Sequence, residues 1–458
     1  MKTQAFSSLA LPEAQLTNLA SLGYQQMTEI QAAALPLALD GQDLIAQAKT
    51  GSGKTVAFGL CLVQKLNPRD FGTQALVMCP TRELATQVAA ELRRLARYQQ
   101  NIKVVILCGG TPIGPQIGSL EHGAHIVVGT PGRVADHLRK ATLSLERAET
   151  VVLDEADRML DMGFVEAIEG ILAHTPKQRQ TLLFSATYPP DIASLSARFQ
   201  RNPQRISVTA KHDEGAIEQH FYPCEEQERH KALLSLLAFY QPDAAVVFCN
   251  TRNDVAQVAE FLARSGVVAR ALHGDMEQRD RDQVLIQFAQ QSCSVLVATD
   301  VAARGLDIDD LPAVINYQLP RDTQVYVHRI GRTGRAGKKG LALSLFASSE
   351  AFRLEAIAAQ LDSAPSAETL PSTSGSGRMQ RPAFVTLCIG GGRKDKIRPG
   401  DVLGALTGEA GIPGDAVGKI TIADYAAYVA VQHDAADLAL GRLLNGRIKG
   451  RKFKVRKL

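Results

Sequence analysis

Short apolar runs alternate with helix-spaced apolar positions from residue 44 to about residue 208. The runs fall at 43–47, 74–79, 103–107, 125–128, 151–153 and 181–184. Strands that alternate with helices in this way predict a parallel sheet covered by helices. A second series starts at residue 216 and continues to about 361, with strands predicted at 244–248, 267–272, 294–298, 313–317 and 340–346. The polar stretch 210–215 has no apolar periodicity and separates the two. Composition then changes: residues 362–382 combine prolines, Ser/Thr and Gly375-Ser376-Gly377, which predicts a flexible linker. Beyond it the pattern reads strand 384–389, helix 401–406, strands 418–423 and 428–432, helix 434–444 and a basic strand 452–456. That βαββαβ order suits a small ferredoxin-like domain. The predicted fold class is α/β, with two tandem parallel-sheet domains at 1–209 and 210–361, a linker at 362–382 and a small α+β domain at 383–458.

Length and charge narrow the picture. A chain of 458 residues can build about three cores, and 45% hydrophobic with 21% charged residues is the balance of an ordinary soluble protein. The net charge of +4 is unevenly spread: residues 371–458 hold 15 Lys/Arg against 7 Asp/Glu, leaving 36 against 40 in residues 1–370. A basic end points to a polyanionic partner, either nucleic acid or an anionic membrane surface. The seven cysteines lie mostly inside apolar runs and never at C-x-x-C spacing, so they read as buried residues of a reducing compartment. The first twelve residues have no sustained apolar core, and no run approaches 18 apolar residues. Neither a signal peptide nor a membrane span is expected, which predicts a cytoplasmic protein.

Candidate chemistry sits directly after the predicted strands. Ala48-Lys49-Thr50-Gly51-Ser52-Gly53-Lys54-Thr55 lies between a strand and a helix and resembles a phosphate-binding loop, with Ala48 where the general pattern has glycine. Its glycines let backbone N–H groups close around phosphate oxygens, Lys54 suits the β- and γ-phosphates, and Thr55 suits a magnesium ion. Taken alone, the loop also fits a glycine-rich turn before an ordinary helix. Asp154-Glu155-Ala156-Asp157 supplies an acid for the metal, Asp154, and a carboxylate to orient and deprotonate water, Glu155. In the second domain His328-Arg329-Ile330-Gly331-Arg332-Thr333-Gly334-Arg335 clusters arginines around glycine turns. Such arginines suit a γ-phosphate, or equally a solvated basic turn.

Together these stretches, with 80–85, Thr130-Pro131-Gly132-Arg133, Ser185-Ala186-Thr187 and 298–307, resemble the motif set of the DEAD-box RNA helicases in its order. The resemblance covers about residues 6–361, and alanine is usual at the position of Ala48 in that family. It implies two RecA-like domains with ATP and Mg2+ between them and RNA across their top. By the same resemblance Gln31 and Thr28 would recognise adenine, with Tyr24 or Phe6 stacking on it. Met27 and Glu29 stand where the family usually has prolines. The nucleotide would be held by 48–55, with Asp307 on the ribose, and Arg332 and Arg335 would be arginine fingers. Ser185 and Thr187 would couple nucleotide state to RNA through Asp157. RNA contacts would come from Pro80, Thr81, Arg82, Gly110, Thr130 and Arg133, and then from Thr251, Gln278, Arg281, Thr299 and Asp300, with Arg304 near the domain interface.

The βαββαβ end, with Arg398-Pro399-Gly400-Asp401-Val402-Leu403-Gly404-Ala405-Leu406-Thr407-Gly408, resembles the RRM-like RNA-binding domain of the bacterial DbpA subgroup. That resemblance implies assembly of the large ribosomal subunit, with ribosomal RNA held by 383–458 and pre-ribosomal particles as partners. Aligned on the usual recognition motif, Ala426 and Cys388 replace base-stacking aromatics, and Tyr428 alone survives. RNA binding is therefore expected from loops and basic residues: Arg393 and Lys394 after a glycine run, and Lys449, Arg451 and Lys452. The activity implied is ATP-dependent opening of short RNA duplexes, or else an ATP-gated RNA clamp whose unwinding is not essential. No oligomer is indicated.

Overall fold

The computed structural model describes residues 4–48, 51–188, 190–208, 217–303, 311–334, 339–361, 366–371, 381–408 and 411–458. These form two compact units, one up to residue 208 and one from residue 217 onward.

The first unit holds a seven-stranded parallel sheet of β1 (Leu44–Gln47), β2 (Ala75–Met78), β3 (Val104–Leu107), β4 (Ile126–Gly129), β5 (Thr150–Asp154), β6 (Gln180–Ser185) and β7 (Gln204–Ser207). The strand order is β3-β4-β2-β5-β6-β1-β7. Helices cover both faces, so successive residues of one strand enter different cores. Val77, Val128, Val152 and Leu182 join one cluster, and their neighbours Leu76, Val127, Val151 and Leu183 join the other. This is why the central strands read as continuous apolar runs. β7 escaped the pattern because Gln204-Arg205-Ile206-Ser207 is mostly polar and sits at the edge, held by its ladder to β1.

The second unit carries β8 (Ile217–Pro223), β9 (Ala245–Cys249), β10 (Ala269–Leu272), β11 (Val295–Thr299), β12 (Ala313–Asn316) and β13 (Gly340–Phe346), parallel in the order β10-β11-β9-β12-β13-β8. Edge strand β8 also falls outside the apolar pattern, since its first half is the polar Glu218-Gln219-His220. The expected linker is not loose throughout. Ala367 bridges Phe221 in parallel, Glu368 N–H donates to Phe221 O at 2.8 Å, and the Glu368 carboxylate meets His220 Nδ1 at 2.7 Å.

The same unit ends in a four-stranded antiparallel sheet of β14 (Phe384–Ile389), β15 (Val417–Ile422), β16 (Ala427–Gln432) and β17 (Val455–Lys457), ordered β15-β16-β14-β17. Helices Pro399–Thr407 and Ala436–Asn445 contribute Val402, Leu406, Ala439 and Leu443 to a core with Leu387, Ile389, Val429 and Val431. β17 starts three residues later than the sequence suggested, because Ile448 and Arg451 close a turn whose Lys449 and Gly450 have φ of 53° and 80°. Lys452 therefore precedes the strand. Among the described residues no helix is long and apolar enough to cross a membrane.

Candidate nucleotide and RNA sites

After β1 the chain turns through Gly51 and Gly53, both at positive φ, into the helix Lys54–Lys65. A side chain at Gly53 would be strained, and its Cβ would stand 2.4 Å from Nε2 of Gln31. Gln31 is held on both sides. Its Oε1 accepts from Thr28 N–H at 2.9 Å in a capping box that starts the helix Glu29–Leu39, and its Nε2 donates to Gly53 O at 3.0 Å. Segment 24–31 and the glycine loop are thereby tied together. In place of prolines, this segment is held by Met27, whose side chain is buried and whose N–H donates to Gln4 O at 2.8 Å. Phe6 is buried in the core, 6.4 Å between centroids from the half-buried ring of Tyr24. Tyr24 donates to Glu91 Oε1 at 2.8 Å, and burial pushes its hydroxyl up to about 12.

Lys54 is buried, and its Nζ donates to Ala48 O at 2.9 Å. Asp154 closes β5 at 2% exposure, and burial raises its carboxyl to about 7 against the opposing pull of Lys54. Its Oδ1 has no hydrogen-bond partner among the described residues, and neither does the buried hydroxyl of Ser52. Two orphaned oxygens, one closing β5 and one in the glycine loop that follows β1, beside a lysine, fit a charged ligand that carries its own cation. Glu155 adopts a left-handed backbone (φ 54°, ψ 51°), and its Oε2 accepts from Arg158 Nη1 at 2.6 Å. Asp157 Oδ2 accepts from Ala186 N–H, Thr187 N–H and the Thr187 hydroxyl at 3.1, 2.9 and 2.9 Å. Burial pushes the Asp157 carboxyl up, but those bonds and Lys54 outweigh it and hold it below its ordinary range. Thr55 is half-buried in the first helical turn. Lys49 and Thr50 lie outside the described residues.

The other half of the same sheet edge gathers a second set. Thr81 caps the helix Arg82–Leu95 by accepting from Leu84 N–H at 3.3 Å. Gly110 follows β3 at φ 70°, and a Cβ there would lie 1.6 Å from Arg82 Nη1. Arg133, near the start of the helix Pro131–Arg139 that Thr130 precedes, donates Nη2 to Thr111 O at 3.0 Å. The ends of β2, β3 and β4 thus bring Pro80, Thr81, Arg82, Gly110, Thr130 and Arg133 together, while the ends of β1, β5 and β6 carry the phosphate-loop set.

In the second unit the organising residue is one the sequence reading left without a role. Arg329, 1% exposed, grips both oxygens of Asp300 at 2.6 and 2.7 Å, and it also donates to Asn250 Oδ1, Asn316 Oδ1 and Gln318 O. It fastens the ends of β9, β11 and β12, and the signal was its place just before the glycine turns that carry Arg332 and Arg335. Asp300, expected to touch RNA, spends its carboxylate on Arg329 instead. Thr299 is buried and accepts from Ala302 N–H at 3.4 Å, Thr251 caps the helix Arg252–Arg264, and Arg332 is buried. Gln278 and Arg281 lie in the first turn of the helix Gln278–Ala289. Arg304, Asp307 and Arg335 lie outside the described residues.

The C-terminal sheet is covered on both faces. Opposite its helices, Thr386, Cys388, Tyr428 and Ala430 are all buried, and Gln290, just past the helix Gln278–Ala289, reaches into this face. Its Nε2 donates to Lys419 O at 3.1 Å and Tyr428 O at 3.3 Å, its Oε1 accepts from Thr386 Oγ1 at 2.9 Å, and Thr386 also meets Ser292 Oγ at 2.6 Å. Gln283 hydrogen-bonds the Tyr428 side chain. The Tyr428 ring is therefore not offered to a base. The expected loops are exposed and lie side by side: Gly390 N–H donates to Lys454 O at 2.8 Å, and a Cβ on Gly391 would meet Phe453 at 2.2 Å. Lys449 Nζ donates to Lys396 O at 2.9 Å, Arg393 pairs with Asp424 at 3.0 Å, and Lys394, Arg451 and Lys452 are exposed.

Comparison with known proteins decides the family. Residues 28–195 match the DEAD/DEAH box helicase family, 228–337 the helicase conserved C-terminal domain and 386–457 the DbpA RNA binding domain. The ATP-dependent RNA helicase DbpA of Escherichia coli K12 is 53% identical over 455 residues, covering 99% of both chains. The chain belongs to the DEAD-box RNA helicases, DbpA type. It is an ATP-dependent RNA helicase with two RecA-like domains and a DbpA RNA-binding domain. The helicase CshA of Listeria monocytogenes is 47% identical over 340 residues, 74% of this chain and 65% of that one. Among solved structures, Saccharomyces cerevisiae Dbp5 bound to RNA and ADP BeF3 superposes with a TM-score of 0.73 at 30% identity, covering 80% of this chain and 96% of that one.

Proposed function

We propose that this helicase opens short RNA duplexes locally during assembly of the large ribosomal subunit in the cytoplasm, tethered to ribosomal RNA in pre-ribosomal particles by residues 383–458. The observation that carries the tether is the C-terminal domain itself. Its sheet face is spent on the second helicase domain, and its basic loops are left open.

On this reading the work divides at 209, 361 and 382. ATP lies on 48–55, with Tyr24, Thr28 and Gln31 on the adenine side and Asp307 on the ribose. Lys54 exchanges the Ala48 carbonyl for the β- and γ-phosphates. Thr55 and Asp154 would hold Mg2+, which supplies neutralising charge to the phosphates when bound. Glu155 must leave Arg158 to orient water, so the Arg158 pair marks a resting arrangement. Arg332 and Arg335 neutralise charge on the transferring phosphate. Asp157, bonded to Thr187, links the β5 and β6 ends and so relays nucleotide state toward the RNA set at β2, β3 and β4. Thr251, Gln278, Arg281 and Thr299 hold RNA from the second domain, with Asp300 positioning Arg329, and Arg393, Lys394, Lys449, Arg451 and Lys452 hold it from the third.

ATPase activity measured against separate fragments of ribosomal RNA tests this. The triple variant Arg393→Ala, Lys394→Ala, Lys452→Ala should lose preference among fragments while general RNA stimulation survives. Undiminished preference would refute the tether. Strand separation with a non-hydrolysable ATP analogue, compared with repeated cycles on ATP, separates this reading from an ATP-gated clamp: stable RNA binding with no strand separation in either would favour the clamp.

A further inference from the structure

The helix Gln278–Ala289 serves two modules. Its first turn carries Gln278 and Arg281, assigned above to RNA, and its later residues Gln283 and Gln287 are buried, with Gln283 meeting the C-terminal sheet. Arg279 stands one turn before Gln283 on the same face, since residues four apart are helical neighbours. It is exposed, and among the described residues it has no hydrogen bond or ion pair. From the other module Arg456, exposed on β17, donates Nη2 to Gln283 Oε1 at 3.0 Å, so its partner is a neutral amide. Both guanidinium groups lie close enough to Cys388 to oppose the rise that burial imposes on its thiol. Two arginines, one from each module, thus meet at one seam through Gln283; of the two acids in this turn, Asp280 is exposed and Asp282 accepts from Gln278 Nε2 at 2.8 Å.

Like charges held together in this way repel unless an anion joins them. The buried bonds of Gln290 with Thr386 and the Tyr428 carbonyl keep the seam closed, so the backbones that carry the two arginines hold one arrangement. Planar guanidinium forks match phosphate oxygens bidentately. We propose that Arg279 and Arg456 form a phosphate site across this seam, which holds the RNA backbone as it passes from the C-terminal domain to the second helicase domain. The site rests on the reading that both modules bind RNA. It adds a rigid bridge between them, so RNA gripped by the C-terminal loops keeps one register relative to Gln278 and Arg281.

The test is the affinity of the full chain for mixed ribosomal RNA fragments, measured over a series of KCl concentrations. Arg279→Gln with Arg456→Gln should weaken binding about tenfold near physiological salt and make the slope of log K against log salt shallower by about 1.4, the value for two phosphate contacts. Arg279→Gln alone breaks no docking bond, and it should carry about half of that change in slope. An unchanged slope for Arg279→Gln overturns the site, even if Arg456→Gln weakens binding, because Arg456 would then act through Gln283. The Arg393→Ala, Lys394→Ala, Lys452→Ala variant runs beside them. If it weakens binding and the seam pair does not, the seam site is wrong and the tether stands; if neither weakens it, the tether reading itself falls.

Discussion

The first domain and the C-terminal domain both place function on a β-sheet, but they use opposite parts of it. In the first domain the faces are buried under helices and the carboxyl edge is open, so Lys54, Asp154 and Asp157 gather on one half of it and Arg82, Gly110 and Arg133 on the other. In the C-terminal domain the outer face, where a recognition motif would stack bases, is closed by Gln283, Gln290 and Ser292. Two sheets can thus do different work, and what covers the face decides which.

The edge is where the account is easiest to break. Lys54→Ala should lower ATP turnover by about 10³-fold or more while leaving the RNA affinity of the C-terminal domain intact; retained turnover would remove the phosphate loop from the mechanism. Asp154→Asn should also abolish turnover, and it carries a second signature in the nucleotide-free protein. The Asp154 carboxyl is raised to about 7 in the folded state, so the stability from its protonated form is fully present below about pH 4 and is lost as pH rises through about 7. Thermal unfolding at pH 8 should therefore show a higher Tm for Asp154→Asn than for the parent, with the difference closing on acidification. Gly110→Ala drives a methyl into Arg82 at a backbone φ of 70°, and should cut RNA-stimulated ATPase by about 10²-fold with ATP binding unchanged.

The face gives smaller effects. Gln290→Ala leaves the Thr386 hydroxyl and the Tyr428 carbonyl without their amide partner, a cost of about 1–3 kcal/mol. Limited proteolysis at the seam should speed up accordingly, with ATP turnover in the absence of RNA unchanged.

These contrasts also show what was legible in the sequence. The phosphate loop, the Asp154-Glu155-Ala156-Asp157 run and the βαββαβ order could be read directly, because buried parallel strands are continuous apolar runs and polar motifs punctuate their ends. Edge strands β7 and β8 were hidden because a strand paired on one side can be polar along much of its length. Arg329 resembled its neighbours in the glycine-rich turn, and its burial depends on Asp300, Asn250 and Asn316 converging from three other strand ends. Tyr428 shows a related limit. It lies on the face opposite Leu387 and Val429, and an outward tyrosine reads the same whether it meets a base or a glutamine.

The most direct measurement is RNA affinity of the full-length protein, comparing Tyr428→Leu with Arg393→Ala, Lys394→Ala, Lys452→Ala. If the face is closed and the loops bind, Tyr428→Leu stays within about twofold of the parent and the triple variant falls by about tenfold or more, with a shallower salt dependence. A large loss for Tyr428→Leu in a protein that remains folded and docked, with little change for the triple variant, would contradict the account.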